Sequence, residues 1–142
     1  MLEQVHNHIV DELGQSSRTD TIFVVTAIVF NLIALGANSI VSVAATEEDG
    51  TATHDIILAV FIVTPVLLNV IAVAALVLGR RTRTMLLGGL VAMYRDNEVD
   101  KYYDPSLVSN YGTRYLLFSG VIVTLAITTI VVPLIIRFVG LD

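Results

Sequence analysis

The sequence predicts an all-α integral membrane protein with three transmembrane helices. Three observations predict this class: a mean hydropathy of +0.79, long apolar blocks without charge, and a strong asymmetry in the placement of basic residues. Apolar residues make up 55 % of the chain, above the roughly 45–50 % that is usual in soluble domains. We expect residues 1–142 to form a single membrane domain.

The three apolar blocks are residues 21–45, 56–79 and 115–136, and none of them contains Asp, Glu, Lys, Arg or His. A hydrocarbon core about 30 Å thick is crossed by about 20 helical residues, so each block can span it. Because backbone groups in hydrocarbon must bond within their own segment, each block is expected to be a helix. A chain of 142 residues has no soluble core able to bury three such helices.

The basic residues predict the orientation. Arg137 alone follows the third span, whereas the other seven basic residues precede the first span or lie in segment 80–114. Segment 46–55 carries acidic residues and no Lys or Arg. The positive-inside rule therefore predicts a multi-pass protein of the cell (inner) membrane, with the N-terminus and the 80–114 loop in the cytoplasm. The outer loop 46–55 and the C-terminus are expected outside.

Two amphipathic helices are expected on the cytoplasmic side. Residues 1–14 have apolar side chains at helical spacing, and Gly14 is a plausible end. The opposite face is acidic, which favours docking on protein over binding to anionic lipid. A second amphipathic stretch lies within the cytoplasmic loop 80–114, where Gly88 and Gly89 weaken it.

The chain contains three prolines, and each predicts a local feature. Pro65 and Pro133 lie inside spans and are expected to bend them. Asp104 followed by Pro105 predicts a helix start, with the Asp side chain as N-cap and Pro at the first helical position.

Polar residues inside the spans are candidates for a functional contact. Asn31 and Asn69 each lie about ten residues from the cytoplasmic end of their spans, hence ~15 Å deep. Segments 23–37 and 61–75 resemble each other and share Phe, Thr and Asn, and a duplication is one explanation of this similarity. A buried amide must be paired or hydrated. We therefore expect an intramembrane polar contact, or alternatively a pore lining, formed by Asn31, Asn38, Asn69 and Thr129.

Surface contacts are expected on the cytoplasmic side. The basic cluster suits anionic headgroups, and the tyrosines suit a partner surface. The predicted partner or lipid-headgroup surface consists of Arg80, Arg81, Arg83, Tyr102 and Tyr103. Membrane lipid is thus an expected partner, whereas a net charge of −5 argues against nucleic acid.

The residue pattern favours a non-enzymatic role. The sequence shows no nucleophile–base set, zinc motif or phosphate-binding loop, so neither a cofactor nor a metal is expected. The spans also lack the ionisable residues that ion-coupled transporters use. We expect a structural or accessory subunit that self-associates or binds a larger membrane complex. The alternative is a homo-oligomeric channel with an uncharged polar lining.

Overall fold

The computed structural model describes residues 1–47 and 52–139, and these residues form helices without any strand. The predicted all-helical class is confirmed, because three helices are long and apolar enough to cross a membrane. Residues 48–51, the middle of the predicted outer loop 46–55, lie outside the described part of the chain. The elements are α1 (Leu2–Glu47), α2 (Ala52–Asp96), a 3₁₀ turn (Asp100–Tyr102) and α3 (Ser106–Val139).

The two amphipathic helices predicted from the sequence are not separate elements. Residues 2–14 are the first part of α1, and the stretch beyond residue 80 is the last part of α2. A helical glycine costs about 1 kcal/mol relative to alanine, which is too little to end a helix that packs on another. Here Ile9 lies against Gly89, and His6 Nε2 hydrogen-bonds the Tyr94 hydroxyl at 3.0 Å.

The chain reverses between α2 and α3 through a capped turn. Glu98 adopts a left-handed φ of 58°, while the Val99 and Glu98 amides donate to the carbonyls of Tyr94 and Arg95. This is the Schellman pattern that satisfies the last carbonyls of a helix. The Asp104 carboxylate accepts from the Ser106 amide at 2.9 Å, which confirms the predicted helix start and lowers the pKa of Asp104.

The apolar core between the helices is small. It consists of buried side chains from all three helices near one level of the bundle: Val24, Ala27, Ala72, Leu76 and Ile122. In the most apolar windows of the three helices, 28 %, 22 % and 17 % of the residues are buried. Most apolar side chains therefore point outward, and polar contacts must define how the helices fit together.

The bundle has two chemically different ends. We call the end with Arg80, Arg81 and Arg83 the basic end, and the end with Asp55 and Arg137 the opposite end. At the basic end, residues 2–20 of α1 and 80–96 of α2 continue side by side, with the first residues of α3 against part of them, and we call this stretch of α1 and α2 the extension. At 1.5 Å per residue the extension is ~25 Å long.

Candidate functional site

The amides of Asn31 on α1 and Asn69 on α2 face each other at the middle of the bundle. Each Nδ2 donates to the other side chain's Oδ1, at 2.8 Å in both directions. Each Nδ2 also donates, at 2.7 Å, to the carbonyl four residues earlier in its own helix, Ala27 or Pro65. Both amide hydrogens of each side chain are thus used, and both residues are buried. The structure therefore brings these two predicted site residues together within one chain.

Asn38 contacts two backbone carbonyls that prolines have left without their helical donor. A proline at position i has no N–H, so the carbonyl at i−4 loses its hydrogen bond. For Pro65 that carbonyl belongs to Phe61, and for Pro133 it belongs to Thr129. Asn38 Nδ2 donates to Phe61 O at 3.1 Å and to Thr129 O at 3.4 Å. One fully buried side chain on α1 thus compensates a proline in α2 and a proline in α3.

Thr129 and Ser42 complete the polar layer around Asn38. The Thr129 hydroxyl donates to Leu125 O at 2.8 Å in its own helix and lies 3.4 Å from Asn31 O. Ser42 follows Asn38 by one turn and is fully buried. Among the described residues, neither Ser42 Oγ nor Asn38 Oδ1 has a hydrogen-bond partner. We call Asn31, Asn38, Asn69 and Thr129 the central polar layer.

A buried ion pair joins α1 to α2 at the basic end. The Arg83 guanidinium pairs with the Asp20 carboxylate, and both side chains are less than a tenth exposed. Gly79 makes room for this pair, because a Cβ at that position would lie 2.6 Å from Asp20 Oδ1. On α3, the Tyr111 ring lies 5.9 Å from the Arg83 guanidinium carbon. A charge buried in this way is stable only while its partner is present.

Arg137 joins all three helices at the opposite end. Its Nη1 donates to Ala45 O at 2.9 Å, one of the last carbonyls of α1. Its Nε and Nη2 donate to Asp55 Oδ1 at 3.2 and 3.1 Å. Asp55 lies in the first turn of α2 and Arg137 in the last turn of α3, where each charge suits the helix dipole.

The five residues predicted as a partner or headgroup surface do not form one surface. Arg83 is buried in the ion pair, whereas Arg80 and Arg81 are exposed. The Arg80 guanidinium lies 5.0 Å from the ring centre of Tyr115 on α3. Tyr103 packs on Tyr94, 5.6 Å between ring centres, and partial burial raises its pKa. Tyr102 is exposed at the tip of the α2–α3 turn.

Two features of the site were not found by sequence reasoning. Asp20 stands directly before the first apolar block, where a charged residue is ordinary at the end of a span, so no role was predicted for it. The feature that could have indicated a contact of Asp20 is Gly79, a small residue at the end of the second span that lies on the same side as Asp20. The role of Asn38 had a signal in Pro65 and Pro133, since each proline frees the carbonyl four residues earlier.

The arrangement joins the three helices to one another through polar contacts. The part of the chain that the structure describes contains no group of three or more His, Cys, Asp or Glu residues placed to hold a metal ion. Comparison with protein families, with curated proteins and with solved structures finds no match to this chain. The site itself must therefore carry the functional argument.

The Asn31–Asn69 pair predicts a specific coupling. Asn31→Leu and Asn69→Leu should each lower the free energy of unfolding by roughly 0.5–1.5 kcal/mol, because each leaves the other amide without its partner. The double variant should cost less than the sum of the two. Reversible unfolding in detergent micelles measures all three, with Thr128→Val as control, since that hydroxyl bonds only its own helix at Thr124 O. Additive losses would contradict a shared bond.

We predict that the contribution of Asn38 to the free energy of unfolding depends on Pro65 and Pro133. Asn38→Leu should destabilise the bundle by about 1–3 kcal/mol, because two buried carbonyls lose their donor. Replacing Pro65 and Pro133 by Ala restores two backbone N–H groups, so the same substitution should cost much less in that background. The quantity to measure is the unfolding free energy of Asn38→Leu with and without the two prolines. An equal cost in both backgrounds would show that the freed carbonyls are not what Asn38 satisfies.

Proposed function

We propose that this chain is a multi-pass membrane protein that serves as a structural or accessory subunit, self-associating or bound to a larger membrane complex. The observation that carries the proposal is the central polar layer. Its amide nitrogens bond side chains and carbonyls of the same chain, so the polar groups at mid-bundle depth join helices. The outward side chains of the apolar segments form a surface for lipid or for other apolar helices.

The spacing of the charged contacts supports a membrane location. Asp20 and Ala45, which mark the two ionic contacts on α1, are separated by a helical rise of ~37 Å. A bilayer has a hydrocarbon core of about 30 Å and a total thickness of about 40–45 Å. Both ionic contacts would thus lie at the level of the interfaces and outside the hydrocarbon core. The exposed apolar side chains between them support the same placement.

The basic end is proposed to face the cytoplasm of the cell membrane, following the asymmetry of Lys and Arg. The extension would then project ~25 Å beyond the cytoplasmic interface. It exposes Met85 and, near the α2–α3 turn, Tyr102. An extension of this length, with an exposed apolar residue on its surface and an exposed tyrosine in the adjoining turn, is suited to contact another protein.

The geometry favours this role over a homo-oligomeric channel. A pore between several copies requires polar side chains that point away from each bundle toward a shared axis. The outward faces at the level of the central polar layer carry residues such as Ile33, Val70 and Ile127. Turning Asn31 or Asn69 outward would break the reciprocal amide bonds.

The orientation can be tested by cysteine labelling, because the chain contains no Cys. Thr46→Cys and Lys101→Cys each place one thiol at an exposed position, at opposite ends of the bundle. In intact cells, a membrane-impermeant maleimide should label the Thr46→Cys variant, and should label the Lys101→Cys variant only after permeabilisation. The reverse pattern would overturn the orientation, and equal labelling of both without permeabilisation would overturn the membrane placement.

The subunit role predicts contacts at the extension. Met85→Cys and Ile40→Cys are matched probes, with exposures of 70 % and 72 %, one in the extension and one near the opposite end. Cross-linking in membranes should trap a second copy or a distinct protein through the Met85→Cys probe, and much less through the Ile40→Cys control. Light scattering of the purified protein should show a monomer, a dimer or a complex with a co-purifying protein. A ring of four to six copies that conducts ions would establish the channel instead.

A further inference from the structure

We propose that the groove between α2 and α3 binds an anionic phospholipid, with an acyl chain along the groove and the phosphate at Arg80 and Arg81. The proposal rests on the membrane placement proposed above. It goes beyond that placement because it assigns a specific binding site to one face of the bundle. Three features support it: the shape of the groove, the register of the two arginines, and the absence of an acidic partner for them among the described residues.

The groove is apolar and large enough for a ligand. Its volume is about 510 Å³, within the range of roughly 300–1,000 Å³ that is typical of small-molecule sites. Asn69 reaches its edge, but the polar atoms of that side chain already bond Asn31 and Pro65. An occupant therefore meets hydrocarbon walls, which include Val70, Val73, Ala74, Val123, Ala126 and Ile127.

The two arginines lie about two helical turns beyond the last groove-lining residue of α2, toward the basic end. Arg80 and Arg81 follow Val73 and Ala74 by seven residues, and a helix rotates by only ~20° short of two full turns over that distance. They therefore continue the α2 wall of the groove toward the basic end. Arg80 leans toward α3, where its guanidinium lies over the Tyr115 ring. A Cβ on Gly112 would lie 3.7 Å from Arg80 Nη2, which places this guanidinium between the two helices.

The distance from the arginines to the Asn31–Asn69 pair matches one leaflet. Arg80 lies 11 residues from Asn69 along α2, a rise of ~16 Å. Half of a hydrocarbon core is about 15 Å thick. A lipid whose phosphate lies at the guanidinium groups would thus extend an acyl chain along the groove as far as the level of the Asn31–Asn69 pair.

The charges of the two arginines select an anion. Asp20 is paired with Arg83, and neither Arg80 nor Arg81 forms an ion pair with a described residue. Guanidinium groups bind phosphate oxygens in a bidentate manner, and juxtamembrane basic residues attract anionic lipids. A second copy of this chain in the same orientation would instead bring arginine against arginine. A phospholipid with net negative charge matches both the apolar walls of the groove and the two arginines beyond them.

The proposal can be tested by native mass spectrometry of the full chain released from detergent. Phosphatidylglycerol is the anionic probe, and phosphatidylcholine with the same acyl chains is the comparison. The protein should retain one phosphatidylglycerol at concentrations where phosphatidylcholine is lost. Arg80→Gln combined with Arg81→Gln should weaken this retention on the order of 10-fold, because both phosphate contacts are lost. The corresponding double Lys variant should retain much of the preference.

A matched set of variants separates the groove from general surface charge. Arg114→Gln removes one basic charge at the same end, but Arg114 packs over Phe118 beside the Asp20–Arg83 pair, so retention should change little. Ala74→Phe fills the groove and should abolish retention, whereas Ala44→Phe on the exposed side of α1 should not. If Ala74→Phe alters the thermal unfolding of the lipid-free protein, Ala126→Phe replaces it.

Three results would overturn the proposal. Equal retention of both lipids would show that the headgroup charge does not determine binding. Loss with the arginine variants but not with either groove-filling variant would show headgroup attraction without a groove. Cross-linking of a second chain through Ala74→Cys, with exclusion of lipid, would assign the groove to a protein interface. The cysteine-labelling experiment reports separately on membrane placement, so failure of the lipid site is distinguishable from failure of that placement.

Discussion

The hydrogen-bonding capacity of one amide, that of Asn38, constrains the relative positions of all three helices. Pro65 and Pro133 each remove a helical N–H, so the carbonyls of Phe61 and Thr129 lose their helical donor. Both carbonyls accept from Asn38 Nδ2. Because the two partners are acceptors, only the NH₂ side of the amide can face them. The rotation of α1 about its axis is therefore fixed relative to both proline-containing helices.

The remaining polar contacts fix the helices at other depths. The Asn31–Asn69 pair sets the register of α1 against α2 at the middle, and the Asp20–Arg83 pair sets it again at the basic end. Arg137 does the same for three helix ends at the opposite side. Each contact contributes modestly, about 1 kcal/mol for an interhelical hydrogen bond. Their directionality selects one arrangement among apolar surfaces that would otherwise pack in many ways.

The three helices were predictable from sequence, because uncharged blocks of sufficient length leave the backbone no alternative in a bilayer. The equal depth of Asn31 and Asn69 also predicted an interhelical contact as one of two alternatives. The continuity of α1 through Gly14, and of α2 through Gly88, was not predictable from local propensity. It depends on packing between α1 and α2, including the contact of Ile9 with Gly89 and the His6–Tyr94 bond. The burial of Asp20 likewise depends on which helix face meets which, and a single sequence does not record that.

The internal use of polar groups determines where a function can reside. Asn31 and Asn69 bond each other, and Arg83 and Arg137 bond acidic partners, so the main polar contacts of these groups are made within the chain. Arg80 and Arg81 differ, since they are exposed beyond the end of an apolar groove without an acidic partner in the described chain. Ordering the Arg80 and Arg81 side chains costs conformational entropy, and no ion pair with a described residue offsets that cost. The anion proposed to bind these two guanidinium groups would therefore gain charge-assisted contacts without displacing an ion pair among the described residues.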